Sequence, residues 1–113
     1  MPSIAKFDTW QDSNSRAFYG ARAWVNFNGT GVVAIKASSG VSSITDVAVG
    51  TYTVNFTTAM PDTNYAPLGF TKWSGGPYLL GWTSFTTSGL TVAAGIPSGS
   101  GADTESISLA FFR

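Results

Sequence analysis

Asp103 and Glu105 stand two residues apart. On a strand, that spacing sets two Cα atoms about 6.6–6.8 Å apart on one face, near the roughly 6.5–9.5 Å between the carboxyl groups of an inverting glycosidase. Nothing nearby would raise one carboxyl's pKa as a general acid requires. The surrounding Gly95, Pro97, Gly99 and Gly101 read instead as a solvated acidic loop before a last strand. The chain has neither Cys nor His, so it offers no thiolate nucleophile, imidazole base, Ser-His-Asp triad, disulfide or ordinary zinc site. Gly99-Ser100-Gly101 lacks both the following helix and the Lys-Ser/Thr ending of a phosphate-binding loop. Asp8, Asp12, Asp46 and Asp62 are dispersed, whereas Ca²⁺ takes about 6–8 oxygen ligands. A non-enzymatic chain without metal or cofactor is expected.

Aromatic residues carry more promise. Trp73, Tyr78 and Trp82 flank Ser74-Gly75-Gly76-Pro77, and rings beside a turn can stack on a sugar's apolar face while hydroxyls and amides hold its polar edge. They are the candidate ligand-binding residues, weighed against burial of Trp73 and Trp82 in a core or interface. Trp24 faces away from Ala23, Val25 and Phe27 and suits contact with a second sheet or another subunit.

The elements that must position these side chains follow from composition and period. Hydrophobic residues are 43% of 113 residues, enough for one core and one domain. Charged residues are only 11%, six basic and six acidic, against about 25% in an ordinary domain. That balance gives no handle for nucleic acid or an anionic membrane. No apolar run is long enough to span a bilayer, and no basic segment precedes an apolar leader, so a soluble, non-secreted product is expected.

Ala21 to Phe27 alternates as a half-buried strand, and Asn28-Gly29-Thr30-Gly31 turns it into a second strand from Val32 towards Ser39. Val41 to Asp46 and Thr51 to Thr57 form another pair about Gly50, with Tyr52, Val54 and Phe56 inward and a Thr-rich face outward. Met60-Pro61 breaks the pattern. Further strands are predicted over Tyr65–Trp73, Tyr78–Thr87, Leu90–Ala94 and Glu105–Phe112. Short, regularly spaced strands without an amphipathic helix predict an all-β antiparallel sandwich of about 7–8 strands over residues 21–113. Residues 1–20 are a polar lead-in bearing Phe7, Trp10 and Phe18, read as a docking arm.

Ala-Arg-Ala-Trp-Val-Asn-Phe-Asn-Gly-Thr-Gly (21–31), Val-Ala-Ile-Lys-Ala-Ser (33–38), Val-Ser-Ser-Ile-Thr-Asp (41–46) and Tyr-Thr-Val-Asn-Phe-Thr-Thr-Ala-Met-Pro-Asp-Thr-Asn-Tyr (52–65) resemble a β module of tailed-phage virion proteins. That module commonly forms the distal end of tail fibres and related appendages. The resemblance implies a structural protein of the virion, made in the cytoplasm of a bacterial host and assembled as a homotrimer. Its implied role is attachment to a glycan-like bacterial receptor, with other virion proteins bound through the arm. The alternatives are capsid decoration, a baseplate adaptor with a purely structural role, or a free-standing carbohydrate-binding module. The turn after Asp46 departs from the family in reading Val47-Ala48-Val49-Gly50. An apolar hairpin tip needs cover, so Val47 and Val49 join Trp24 as expected interface residues.

Overall fold

The computed structural model describes residues 10–11, 17–18, 20–72, 79–96 and 100–113. Ten strands lie within them: β1 (Trp10–Gln11), β2 (Ala17–Phe18), β3 (Ala23–Asn28), β4 (Ala34–Ser39), β5 (Val41–Ala48), β6 (Thr51–Phe56), β7 (Ala66–Thr71), β8 (Leu79–Phe85), β9 (Gly89–Gly95) and β10 (Ile107–Phe112). There is no helix among the described residues. β1 and β2 pair with each other. The other eight form two four-stranded antiparallel sheets, β4-β3-β10-β7 and β5-β6-β9-β8, as the alternating pattern predicts.

Alternation fills the space between the sheets. Ala23, Val25 and Phe27 of β3 and Ile107, Leu109 and Phe111 of β10 face Tyr52, Val54 and Phe56 of β6 and Leu90, Val92 and Ala94 of β9. Burying a Leu, Val or Phe side chain stabilises by about 1.5–3 kcal/mol, so these central strands hold most of the hydrophobic driving force. Rings meet edge to face: Phe27 and Tyr52 lie 5.3 Å apart, and Phe56 and Phe111 4.9 Å.

Glycine makes the tight corners. Between β4 and β5 the chain passes from the first sheet to the second through a single residue, Gly40, at φ 74°. Gly50, at φ 73°, closes the hairpin in which Ala48 pairs with Thr51. Both φ values lie where an L side chain is strained.

Some boundaries differ from the sequence expectation. β4 starts at Ala34 rather than Val32, because Asn28 Oδ1 accepts the Thr30 amide (3.0 Å) and hydroxyl (2.7 Å) and Gly31 adopts φ 60°, which lengthens the loop. β10 starts at Ile107 rather than Glu105, since the preceding Thr104 carbonyl accepts the Gly29 amide at 2.9 Å outside the ladder. β7 and β8, consecutive in the chain, lie in different sheets.

Candidate functional site

The two sheets present outer faces of different chemistry. On the second sheet, Thr45, Thr53, Thr91 and Ser84 form one cross-strand row, and Ala48, Thr51, Ala93 and Gly81 another. Thr53 and Thr91 hydroxyls lie 2.9 Å apart, and Asn55 Nδ2 donates to Ser43 Oγ (3.1 Å) and Thr45 Oγ1 (3.0 Å). These rows carry small, uncharged side chains, with hydroxyls along the whole of the first, the Thr-rich face expected from the sequence.

The first sheet's outer face is apolar. Register aligns Trp24 with Ala110 and Leu68, and Asn26 with Ser108 and Phe70. Small residues on β10 leave a groove of about 280 Å³ between the larger side chains of β3 and β7. Its β7 wall is open to solvent: Phe70 is 82% exposed and Leu68 61%. Trp24 lies outward and half-exposed, as alternation requires. Sequence reading missed Leu68 and Phe70, although Leu68-Gly69-Phe70 puts two large apolar residues on one face of a strand.

Charges gather at the ends of this face. At one end, Arg113 grips Asp62 through Nε (2.8 Å) and Nη2 (2.6 Å), while Arg22 Nε donates to the Arg113 carbonyl at 3.1 Å. The guanidinium holds the Asp62 carboxyl down to about 2. At the other end, Lys72 pairs with Glu105 and depresses its pKa, and Lys36 Nζ donates to the Glu105 carbonyl at 2.8 Å.

Asp103 takes no part in that cluster. Its Oδ1 accepts the Gly50 amide at 2.8 Å and the Tyr52 hydroxyl at 2.7 Å, and the same hydroxyl reaches the Gly29 carbonyl at 2.8 Å. Burial first, then the Asp103 carboxylate, pushes the Tyr52 phenol above its usual range. Asp103 and Glu105 therefore engage separate partners in turn and ion-pair roles, and neither lies on a strand.

Of the expected ligand-binding residues, Trp73 and Tyr78 lie outside the described residues, as does the loop between them. Trp82 is described. It pairs with buried Val92, which places it on the core-facing side of edge strand β8, yet it remains 53% exposed at the rim. A register shift between Trp82 and Ser84 marks a bulge there, a device that re-aims side chains at sheet edges. Trp82 packs edge-on to Phe85 at 5.7 Å, leaving ring surface free for stacking. Val47 and Val49 project into solvent at the β5–β6 turn, 55% and 65% exposed. Val47 sits in a second register shift, between Asp46 and Ala48. Trp24 and Val47/Val49 thus occupy separate sheets, and nothing within the described residues covers them.

No protein-family model, curated protein or solved structure matches this chain. No helix among the described residues is long and apolar enough to cross a membrane.

Proposed function

We propose that this chain is a non-enzymatic β-sandwich module of a tailed-phage virion, assembled as a homotrimer at an appendage and used for attachment to a bacterial surface glycan. The observation that carries the reading is the pair of outer sheet faces whose central rows carry no charge, one of hydroxyl rows and one an aromatic groove. Charge-depleted surfaces with aromatic anchors are the composition of subunit contacts, and an apolar hairpin tip at Val47 and Val49 adds to the area needing cover. The resemblance of residues 21–65 to phage β modules supplies the setting.

In this reading Val47, Val49 and Trp24 meet neighbouring copies or other parts of the particle, and the arm connects to other virion proteins. The exposed part of Trp82, with Trp73 and Tyr78, stacks on a sugar ring. Neighbouring hydroxyls orient the ring, and three copies convert weak single-site binding into useful avidity. The test is competition: free protein added to host cells before phage should reduce adsorption of the particle that carries this chain. Undiminished adsorption at saturating protein would remove the attachment role, and abundance near that of the major capsid protein would assign the chain to capsid decoration.

A further inference from the structure

We propose that Asn28 is a self-modification site: the Asn28–Gly29 pair is built to deamidate through a cyclic succinimide, and Tyr52 and Thr104 grip Gly29 so that the reaction waits until this end of the sandwich opens. The inference is independent of what the module binds.

Asn14 precedes Ser15, Asn26 and Asn55 precede phenylalanine, and Asn64 precedes Tyr65; Asn28 alone precedes a glycine. In this reaction the backbone nitrogen of the following residue gives its proton to hydroxide and attacks the asparagine Cγ. The new C–N bond closes a five-membered ring, and Nδ2 takes a proton from water and departs as ammonia. A second water opens the ring at either carbonyl, leaving aspartate or isoaspartate. A side chain on the following residue obstructs the attack, and glycine has none. Here the fold demands glycine: a Cβ at position 29 would press on the Tyr52 hydroxyl and lie 2.7 Å from its Cζ and 2.9 Å from the Thr104 carbonyl oxygen. Packing that admits no other residue therefore leaves the most labile asparagine pairing in the chain.

The same fit holds the reaction off. Gly29 is buried, and its amide, the attacking nitrogen, donates to the Thr104 carbonyl at 2.9 Å. Hydroxide reaches that proton only when the contact opens. The Gly29 carbonyl accepts the Tyr52 hydroxyl at 2.8 Å, and Asp103 orients the same hydroxyl. Gly29 is thus pinned on both sides. The electrophile is fixed as well: Asn28 Oδ1 accepts the Thr30 amide and hydroxyl, and Nδ2 donates to the Thr30 carbonyl at 3.1 Å. Ring closure needs the two groups brought into attack geometry, and these bonds oppose the rotation.

Either product loosens the clamp. Aspartate replaces the Nδ2 donor with an oxygen that faces the Thr30 carbonyl, acceptor against acceptor. Isoaspartate adds a methylene to the backbone and displaces Gly29 from Thr104 and Tyr52. A chain modified while open accordingly refolds with a weaker end beside the β5–β6 turn.

The test follows the full chain at mildly alkaline pH, with site-resolved mass spectrometry reading aspartate and isoaspartate at each asparagine. In denaturing guanidinium chloride, Asn28 should convert ahead of Asn14, Asn26, Asn55 and Asn64. In native buffer its conversion should slow by about tenfold or more, and Tyr52→Phe should restore about fivefold or more of that rate while remaining folded. A second measurement needs no variant: as guanidinium chloride is raised below the unfolding midpoint, wild-type conversion at Asn28 should rise in proportion to amide exchange at Gly29. Equal conversion in the folded and unfolded chain would overturn the proposal. So would faster conversion in the folded chain, which would make the Thr30 donors an aid to attack, or a folded-state rate that ignores both Tyr52→Phe and Gly29 exchange.

Discussion

The hydroxyl of Tyr52 and the carboxylate of Asp103 meet at 2.7 Å, joining the inner face of β6 to the loop before β10 across 51 positions of sequence. The same carboxylate oxygen holds the Gly50 amide. One acid therefore ties the β5–β6 turn, the core and the approach to the last strand into a single unit at the end of the sandwich that bears Val47 and Val49.

Tyr52→Phe removes the shared proton and leaves the Gly29 carbonyl without that donor, so stability should fall by about 1–3 kcal/mol in urea unfolding. The same group sets an alkaline limit. Its folded pKa lies above the ordinary 10.0, so its contribution is fully present below pH 10 and declines as pH rises from there towards the folded value. Wild-type stability should drop more steeply than that of Tyr52→Phe as pH rises above about 10; parallel curves would show that the phenol ionises freely in the native state.

Gly50→Ala should destabilise by at least about 2 kcal/mol. The residue adopts φ 73°, and an added Cβ would press on the Ala94 carbonyl oxygen and lie 2.7 Å from the Ala102 amide nitrogen. Gly20→Ala, in open space, serves as the control and should leave the unfolding midpoint unchanged.

Much of this arrangement was legible in advance. Tyr52, Val54 and Phe56 alternate with Thr51, Thr53 and Asn55 so regularly that strand, buried face and hydroxyl face all followed from period two. Two hairpins are readable from the turns at Asn28-Gly29 and Gly50 that close them. The pairing of β10 between β3 and β7 was not, because it joins segments about 40 and 80 residues apart, and local pattern carries no information about partners at that range. Leu68 and Phe70 have no local signal of exposure for a related reason: their outward placement follows only once Tyr65 and Pro67 are known to be buried. Asp103 reads in the sequence as part of a solvated acidic loop, and its bond to the Tyr52 hydroxyl, 51 positions away, has no local signal.

The Asp62–Arg113 pair should show as a titration rather than as stability. Asp62 titrates near 2, chiefly through its hydrogen bond to Arg113, so what the pair contributes is present above the ordinary value of 3.8 and is lost as pH falls through about 2. Both side chains are well exposed, and such pairs contribute little and weaken with salt. Arg113→Gln should move the Asp62 carboxyl back towards 3.8 in an NMR titration, with the melting temperature at neutral pH almost unchanged.

Val47→Ser with Val49→Ser should shift the protein towards lone subunits in light scattering, since the proposed contact loses its apolar tip. Stability of the single subunit should change by less than about 0.5 kcal/mol, because both side chains are exposed. An unchanged mass distribution would place the contact elsewhere.

Trp82→Ala should weaken attachment to cells while the sandwich stays folded. The ring is half-exposed and packs chiefly on Phe85, so the cost to folding should be near 1 kcal/mol, the ordinary range for a point substitution. Attachment equal to wild type with the fold intact would exclude Trp82 from the binding surface.

Imaging the particle that carries the chain by electron cryomicroscopy tests the whole reading most directly. The account predicts three copies of an eight-stranded sandwich around one axis at an appendage, with the Val47–Val49 turn covered by protein and Trp82 facing outward. A stable lone subunit in solution, with no density for it in any virion, would contradict it.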